Sequence, residues 1–576
     1  MRTIPTLAVI IALGASVFAA DSAPLSLDIG ELGAHAGDYS DTTPTLRAAL
    51  VKCQKDHVRK LVFPPGRYDF WPDVAAEKYL FISNNDEGLK RIAFPLLGFQ
   101  NLEIDGQGSQ FVFHGYLNPF VLEKARDITL KNFSIDFART FHSEAKVLEV
   151  RADSVDLEIP EQFPYRIEKG ILFFVGEGKG SKEIYPVTSL LEFDAEKHET
   201  AFKAGDQGLG KAMRATEIGP RRVRLELPKL KATPGNIFVF QSEHRLIPAF
   251  TISDSIGTKL VGVTIYHAGG MGVVAQRSRD IELDHVQVTR PPGSGRYCSL
   301  TADATHFSNC AGKIVMSHCL FENQMDDATN IHGIYAQVAR QIAPDEILVR
   351  LKHPQQFGFD FISAGTRLEL VHGPSMATYG EGTVKSTERL NKEFTRVVFK
   401  SPLPKDLVAG DAVASVNEYP EVNINHCTIR DNRARGLLIA SRGKVVIEDN
   451  VFHTPGSAIL FEGDASYWFE QSGVRDVLIR RNHFENCNFG PWGAACIQVR
   501  PGIKEEDRAA VRYNRNITIE ENTFRVFDPR LICAYCVDGL TFRKNHIEPT
   551  TEYPPQNQTA KPFEISDSDH VVIEAE

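Results

Sequence analysis

The chain has 576 residues, of which 42% are hydrophobic and 24% charged, so it is globular in composition and not a disordered chain. Its net charge of −10 argues against binding to nucleic acid or to an anionic membrane, and mildly against a strongly polyanionic substrate. Beyond the N-terminal stretch no segment has an apolar run long enough to span a bilayer, so membrane insertion is not expected.

The chain begins with the pattern of a secretory signal peptide. One Arg precedes an apolar run from Leu7 to Phe18, and small residues follow at Ala19 and Ala20. The run is too short to span a bilayer, and cleavage is expected after residue 19 or 20. We therefore predict that residues 1–20 are removed and that the mature protein is exported, either to the periplasm or out of the cell.

A helix and a strand are predicted next. The segment from Asp41 to Cys53 carries an Asp/Thr cluster that can cap a helix, with Pro44 near its first turn. A strand follows from Leu61 and ends in a Pro-Pro-Gly turn before Tyr68. We assign residues 21–136 to an N-terminal cap and to the first coils of a repeating structure.

Strand-like segments of the form apolar-x-apolar-x-x-x-x-apolar recur along the chain, at residues 281–288, 314–321, 422–429, 445–452, 477–484, 517–524 and 540–547. Their third positions recur at one constant spacing in three pairs: Leu260 and Leu283, Ile424 and Ile447, Ile519 and Phe542. This spacing is the period of the chain. Such a period, with Asn, Asp and Gly between strands, predicts an all-β right-handed parallel β-helix. The N-terminal helix would cap its open end.

Two long stretches, residues 137–246 and 334–420, interrupt the period. Alternating strands and Gly/Pro turns replace the Asn-centred pattern there, and residues 155–163 resemble residues 347–357. We predict two small antiparallel β-domains, barrel-like, inserted in solenoid loops. Residues 247–333 are then the coils that carry two acidic clusters, and residues 421–576 are the C-terminal coils and tail.

The two acidic clusters stand one period apart, because the interval from Asp303 to Asp326 equals that from Leu260 to Leu283, and Asp327 follows directly. Neighbouring strands are about 4.8 Å apart, so three carboxyl groups from two coils would converge. Adjacent anions repel each other, and we therefore interpret the trio as catalytic rather than as a cation site or as solvated turns. Because side chains alternate along a strand, Asp326 and Asp327 can both face one site only if they lie at a corner or a bulge.

Five more side chains are candidates for substrate binding. Arg435 is expected to stack on the coil that follows the acidic pair, and Asn330 and His332 continue the coil of that pair. Glu462 and Trp468 follow on a later coil, where an aromatic ring could cover the apolar face of a sugar. Each also has a structural alternative: an ion pair, a turn, or core packing. No HExxH, P-loop or GxSxG motif is present, so no metal or other cofactor is expected.

These residues resemble a known family. The segment Phe63-Pro-Pro-Gly-Arg-Tyr68, the inserted domains, and Thr301-Ala-Asp303 followed by Met325-Asp-Asp327-Ala-Thr-Asn-Ile-His-Gly333 resemble family 110 of the glycoside hydrolases. The resemblance implies an exported, exo-acting, inverting bacterial α-1,3-galactosidase. Its substrate would be a glycan ending in α-galactose, of blood-group-B type or linear, and its active-site residues would be the three aspartates.

Inverting hydrolysis uses one protonated carboxyl for the leaving oxygen and one ionised carboxylate for water, about 6.5–9.5 Å apart. By analogy with other inverting β-helix hydrolases, we expect Asp326 to be the acid, with Asp303 and Asp327 positioning the water. Three alternatives stay open: an endo-acting, pectinase-like hydrolase, a calcium-dependent polysaccharide lyase, and a carbohydrate-binding solenoid. The first is weakened because Asp303 lacks the preceding Asn of the polygalacturonase motif.

Overall fold

The structure is a computed structural model that describes residues 25–178, 180–210, 212–554 and 559–574. The predicted signal peptide, residues 1–20, lies outside the described residues. Two long sheets run along a solenoid and enclose one hydrophobic core. The predicted fold class, a parallel β-helix with two inserted β-domains and a capping helix, is confirmed.

The larger sheet pairs each coil with the next in parallel. Its strands are Ser26–Asp28, Lys60–Val62, Arg67–Phe70, Gln100–Phe113, Arg126–Phe137, Ile256–Ile265, Arg279–Asp284, Gln287–Val288, Ala311–Ser317, Leu320–Glu322, Glu421–Asn425, Thr428–Arg430, Lys444–Glu448, Val451–His453, Asp476–Arg480, His483–Glu485, Asn514–Glu520, Thr523–Val526, Val537–Arg543, His546–Pro549 and Asp569–Ile573. The predicted period appears as direct pairing of Leu260 with Leu283, Ile424 with Ile447 and Ile519 with Phe542.

The second sheet carries the functional side chains. Its strands are Ala76–Leu80, Gly88–Leu97, Leu117–Glu123, Phe250–Ser253, Val273–Gln276, Thr305–Ser308, Thr329–Ile334, Leu437–Ile439, Ile459–Phe461, Ile497–Val499, Ile532–Tyr535 and Phe563–Ser566, with the short strand Glu470–Gln471 paired antiparallel to Thr329–Ile334. This short strand folds the loop before it back over the coil of the acidic pair.

Buried asparagines stack at one turn of the C-terminal coils. Asn450, Asn482, Asn522 and Asn545 are at most 5% exposed. Each of the first three donates its side-chain amide to the side-chain oxygen of the next, at 2.9–3.0 Å. The same oxygens accept the backbone N–H groups of the first three residues. The ladder therefore satisfies polar groups that the core would otherwise leave unpaired.

The N-terminal helix spans Thr43–Lys55 and buries Leu46, Ala49 and Leu50 in the core of the first coils. The Asp41 carboxylate accepts the N–H of Thr43 at 2.9 Å, as the predicted cap requires. Short 3₁₀ helices span Ile29–Leu32, Pro354–Gln356 and Glu505–Ala510. No helix in the described part of the chain is both long and apolar enough to cross a membrane.

Both inserted domains are antiparallel. The strands of the first are Ser143–Val150, Ser154–Glu158, Tyr165–Glu168, Ile171–Phe174, Val187–Phe193, Gln207–Gly208, Ala215–Gly219, Arg222–Glu226 and Ile237–Ser242. The second closes into a barrel of Ala336–Ala343, Glu346–Arg350, Arg367–Val371, Thr378–Arg389, Phe394–Phe399 and Ala412–Ser415, with its own apolar core. The second domain leaves the solenoid directly after strand Thr329–Ile334, on the coil of the acidic pair, whereas the first rejoins it at strand Phe250–Ser253, two coils before Thr305–Ser308.

Candidate active site

The three aspartates line one pocket on the second sheet. Its lining residues are Asn84, Arg245, Asp303, His306, Asp326, Asp327, Asn330, Arg435, Leu438, Glu462, Trp468 and Glu470. The pocket thus brings together the trio and four of the five candidate binding residues. The fifth, His332, is buried beneath it and reaches it through His306.

The register of the two acidic coils differs from the expected one by a single position. Thr305 pairs with Thr329, and the N–H of Ala304 donates to the carbonyl of Asp327 at 3.0 Å. The step here is therefore one residue longer than the period, and Asp303 lies beside Asp327 rather than directly below Asp326. Asp326 and Asp327 lie in the bend before strand Thr329–Ile334 and reach the pocket from this corner, as side-chain alternation requires.

Arg435 lies on the next coil and binds Asp327, as its register predicted, because Thr329 pairs with Leu437. Its Nε and one Nη donate to the two carboxylate oxygens of Asp327 at 3.1 and 3.0 Å, and its backbone N–H donates at 3.0 Å. Burial raises the pKa of Asp327 to about 7, although Arg435 favours the charged form. Gly456 is needed beside this turn, since a Cβ there would collide with the carbonyl oxygens of Ala434 and Trp492 and with Cγ of Arg435.

Two further arginines bind Asp326. Arg245, at the return of the first inserted domain, lies 2.5 Å from one carboxylate oxygen, and Arg433 lies 2.9 Å from the other. Although burial opposes charge, Arg433 and Arg245 lower the pKa of Asp326, which is therefore ionised at neutral pH. Asp206, in the first inserted domain, binds Arg433 from the far side at 2.7–3.0 Å.

Asp303 has the highest pKa of the three carboxyls. Burial, with Asp326 nearby, raises the pKa of Asp303 to about 8. Its Oδ2 lies 2.8 Å from Nδ1 of His306, whose Nε2 lies 2.9 Å from Nε2 of His332. Burial lowers the pKa of both histidines, that of His306 to about 4.

Hydrogen-bond geometry leads to the same protonation state. Nδ1 of His332 lies 2.7 Å from the carbonyl of Gly333 and must donate to it, so Nε2 of neutral His332 accepts from His306. Nδ1 of His306 is then an acceptor, and Asp303 must donate a proton to it. In this arrangement the proton resides on Asp303 and Asp326 is ionised, which differs from the expectation that Asp326 is the acid; the division of roles stays a prediction.

The far wall of the pocket is a loop that includes Trp468, which is 40% exposed. Asp464 caps this loop by accepting the backbone N–H groups of residues 466–469, so its role is structural. Gln356 of the barrel donates to the carbonyl of Trp468 at 2.7 Å. Glu470, at the loop's end, accepts the side-chain amide of Asn84 at 3.1 Å.

Asn330 also donates to Glu470, at 3.3 Å, so this candidate supports the wall of the pocket. The sequence analysis missed several lining or supporting residues: Asn84, Asp206, Arg245, His306, Arg433 and Glu470. Two signals were available. Arg433 stands two residues before Arg435 in the chain, and His306 stands three residues after Asp303.

A cavity of about 650 Å³ lies elsewhere, between the first inserted domain and the C-terminal coils. Its ionisable groups pair with one another: Glu199 with His453 at 2.7 Å, and Lys197 with Glu552 at 2.6 Å. Paired groups of this kind are not a free acid and base. Among the described residues, none of the three His/Cys/Asp/Glu clusters compact enough for a metal ion includes a residue of the aspartate pocket.

Three family descriptions match segments of the chain. "GLAA-B beta-barrel domain I" matches residues 143–238, "GLAA-B beta-barrel domain II" matches residues 346–413, and "Right handed beta helix region" matches residues 412–574. The matches agree with the two inserted domains and with the coils that follow them.

Curated relatives cover almost the whole chain. "Alpha-1,3-galactosidase A" of Shewanella woodyi is 38% identical over 95% of this chain and 90% of its own length. "Alpha-1,3-galactosidase B" of Bacteroides thetaiotaomicron is 33% identical over the same shares. "Alpha-1,3-galactosidase B" of Akkermansia muciniphila is 32% identical over 95% of this chain and 69% of its own.

Proposed function

Because the chain belongs to glycoside hydrolase family 110, we propose that it is an exo-acting, inverting glycosidase that releases terminal α-1,3-linked D-galactose from blood-group-B-type or linear glycans. The observation that carries the proposal is the convergence of Asp303, Asp326 and Asp327 in one buried pocket. Inverting hydrolysis requires two neighbouring carboxyls, one protonated and one ionised, and the raised pKa of Asp303 and the lowered pKa of Asp326 provide such a pair.

The carboxyls divide the chemistry according to their protonation. When substrate is bound, the proton of Asp303 turns from Nδ1 of His306 to the glycosidic oxygen and is transferred to it as the C1–O bond breaks, so the remaining glycan leaves as an alcohol. A water molecule attacks C1 from the opposite face and passes its proton to ionised Asp326. Arg245 and Arg433 hold Asp326 in place, and Asp327 with Arg435 completes the site. The first product is β-galactose, and no covalent intermediate forms.

The walls of the pocket favour cleavage at a chain end. The loop that ends at Glu470 folds across the coil of the acidic pair, and Asn84 closes the pocket from the N-terminal side. The barrel supports that loop through Gln356. Walls of this kind favour binding of one terminal sugar, whereas an endo-acting enzyme requires an open groove.

The decisive experiment is incubation of the purified protein with an α-1,3-galactosyl disaccharide and assay of free galactose. Proton NMR at early times should show the β-anomer first. Release of internal oligosaccharides from a polymer would indicate an endo-acting enzyme, and unsaturated products that absorb in the ultraviolet would indicate a lyase. Binding without turnover would support the solenoid that only binds carbohydrate.

We further propose that the enzyme works outside the cytoplasm. The apolar run from Leu7 to Phe18, followed by Ala19 and Ala20, supports export. N-terminal sequencing of protein from the native cells should give a mature chain that starts at residue 20 or 21. A chain that retains its first residues in the cytoplasmic fraction would contradict this.

A further inference from the structure

Three metal-binding side chains meet where the first inserted domain packs against the solenoid. His142 directly precedes strand Ser143–Val150 of that domain, and Glu144 lies in it. Cys298 stands on the solenoid, five residues before Asp303. One ligand atom from each of the three lies within 4.8 Å of the others, and each side chain is at most 2% exposed. None of them lines the aspartate pocket.

The imidazole of His142 is fully buried and has no hydrogen-bond partner in the described part of the chain, at either ring nitrogen. Nε2 lies 3.4 Å from Oε1 of Glu144, without the alignment of a hydrogen bond. Burial lowers the pKa of His142, so the ring is neutral at neutral pH, which is the form that binds a metal ion. A buried ring with two unsatisfied nitrogens costs stability unless a ligand occupies one of them.

The carboxylate of Glu144 is buried without a cationic partner. The backbone N–H groups of Tyr297 and Cys298 donate to it at 3.0 Å. Among the described residues its only ion-pair contact is with His142, which is neutral. Buried carboxylates are normally paired with a cation or coordinate a metal. A divalent cation between the two side chains satisfies both requirements.

The donor set is that of zinc. Imidazole nitrogen, carboxylate oxygen and thiolate sulfur bind Zn²⁺ at about 2.0–2.3 Å, so the ligand atoms of a tetrahedral site stand roughly 3.3–3.8 Å from one another. The 3.4 Å between His142 and Glu144 falls in this range. The sulfur of Met325, 3.2 Å from Sγ of Cys298, is placed to be a fourth ligand. Magnesium and calcium prefer oxygen ligands and do not fit.

We propose that His142, Glu144 and Cys298 form a buried zinc site that joins the first inserted domain to the coil of Asp303. Zinc binding displaces the proton of the Cys298 thiol, which is released to solvent, so one Zn²⁺ balances the thiolate and the carboxylate. The role of the ion is structural. It braces the segments that lead to the two acidic clusters and contacts no reacting atom.

The test is metal analysis of the full-length protein, produced without a polyhistidine tag in medium that contains zinc and dialysed against metal-free buffer. Mass spectrometry of the elements should find about one zinc per chain. Protein produced with cobalt in place of zinc should show the near-ultraviolet absorption band of a cobalt–thiolate bond. Cys298→Ser should lose that band, and His142→Gln should lose the zinc and unfold at a lower temperature than wild type.

Cys310→Ser is the matched control. Cys310 is equally buried but lies outside the cluster, and its thiol donates to the carbonyl of Ala275 at 3.5 Å. This variant should keep both the zinc and the cobalt band. A cobalt–thiolate band that persists in Cys298→Ser would overturn the proposal. Wild-type protein without stoichiometric zinc would also overturn it, even if no variant folds, and would assign the partner of His142 to an ordered water molecule.

Discussion

Asp206 of the first inserted domain forms a bidentate ion pair with Arg433 of the solenoid, and Arg433 in turn binds Asp326 at 2.9 Å. The inserted domain therefore holds an active-site carboxylate indirectly, through one arginine. Gln241 of the same domain donates to Asp206 at 2.6 Å and fixes its orientation. The first inserted domain contributes no aspartate to the lining of the pocket, but through Asp206 it orients the arginine that binds Asp326.

The first prediction concerns this contact. Asp206→Asn keeps the shape of the side chain but removes the charge that orients Arg433. Hydrogen bonds to charged groups are worth about 1.5–3 kcal/mol, so we expect kcat to fall roughly 10- to 100-fold. KM for the disaccharide should change much less, and the acidic limb of the pH–rate profile should move.

Glu149→Gln is its control, because Glu149 pairs with Arg151 on the exposed side of the same domain. It should behave as wild type in both kcat and pH profile. If Asp206→Asn also behaved as wild type, Arg433 would not depend on the inserted domain for its position.

The second prediction tests which aspartate carries the proton. Fluoride leaves without protonation, so a variant that lacks the general acid still hydrolyses α-galactosyl fluoride. Asp303→Asn should lose roughly 10²–10⁴-fold in kcat on the disaccharide and far less on the fluoride. Asp326→Asn, which lacks the base, should lose activity on both substrates. The reverse pattern would return the acid role to Asp326, as first expected from the sequence.

The third prediction concerns pH. The pKa of Asp303 is raised to about 8, so its protonated form persists below that pH and is lost above it. Activity on the disaccharide should therefore decline on an alkaline limb centred near pH 8. His306→Phe removes the acceptor that stabilises protonated Asp303, so this limb should move to lower pH.

His483→Phe is the control for pH, since His483 is half-exposed on the larger sheet and pairs with Glu485. Its profile should match that of wild type. An alkaline limb that stays in place in His306→Phe would mean that another group sets it.

The sequence predicted the fold because the apolar repeat is local, although some coils are longer than the period, as the pairing of Leu283 with Met316 and of Ile479 with Ile519 shows. Leu260, Ile424 and Ile519 occupy inward positions that pair with their counterparts one period further along the chain, and side-chain period alone fixes that register. The interval from Asp303 to Asp327, which lies beside it on the next coil, is one residue longer than the period. A corner between strands can accommodate such an insertion without disturbing the core. Turn geometry determines how many residues a corner contains, and the spacing of apolar residues does not predict that number.

The candidate site was predicted where it depends on the coil register and missed where it depends on the loops. The stacking of successive coils predicted both the position of Arg435 and its contact with Asp327. Arg245 and Glu470 reach the pocket from an insertion and from a folded-back loop. Their positions depend on tertiary contacts, and no spacing in the chain encodes them. The protonation of Asp303 depends on two buried histidines, of which the sequence singled out His332 as a candidate for substrate binding and missed His306.

The last prediction concerns the asparagine ladder that stacks the C-terminal coils. Asn482 accepts the backbone N–H and the side-chain amide of Asn450 on one side and donates to Asn522 on the other. Asn482→Ala leaves these buried groups unsatisfied, and each costs about 1–3 kcal/mol. We expect a loss of at least about 2 kcal/mol, measured as a lower urea midpoint with an unchanged slope.

Asn423→Ala is the matched control for the ladder. Asn423 is half-buried on the larger sheet and accepts one hydrogen bond from Asn425 at 2.9 Å, so its loss should cost no more than about 0.5 kcal/mol. Because each coil contacts only its neighbours, the damage in Asn482→Ala should be local. Hydrogen exchange should rise first in strands Lys444–Glu448 and Asp476–Arg480. Equal urea midpoints for the two variants would show that the ladder adds nothing beyond an ordinary surface hydrogen bond.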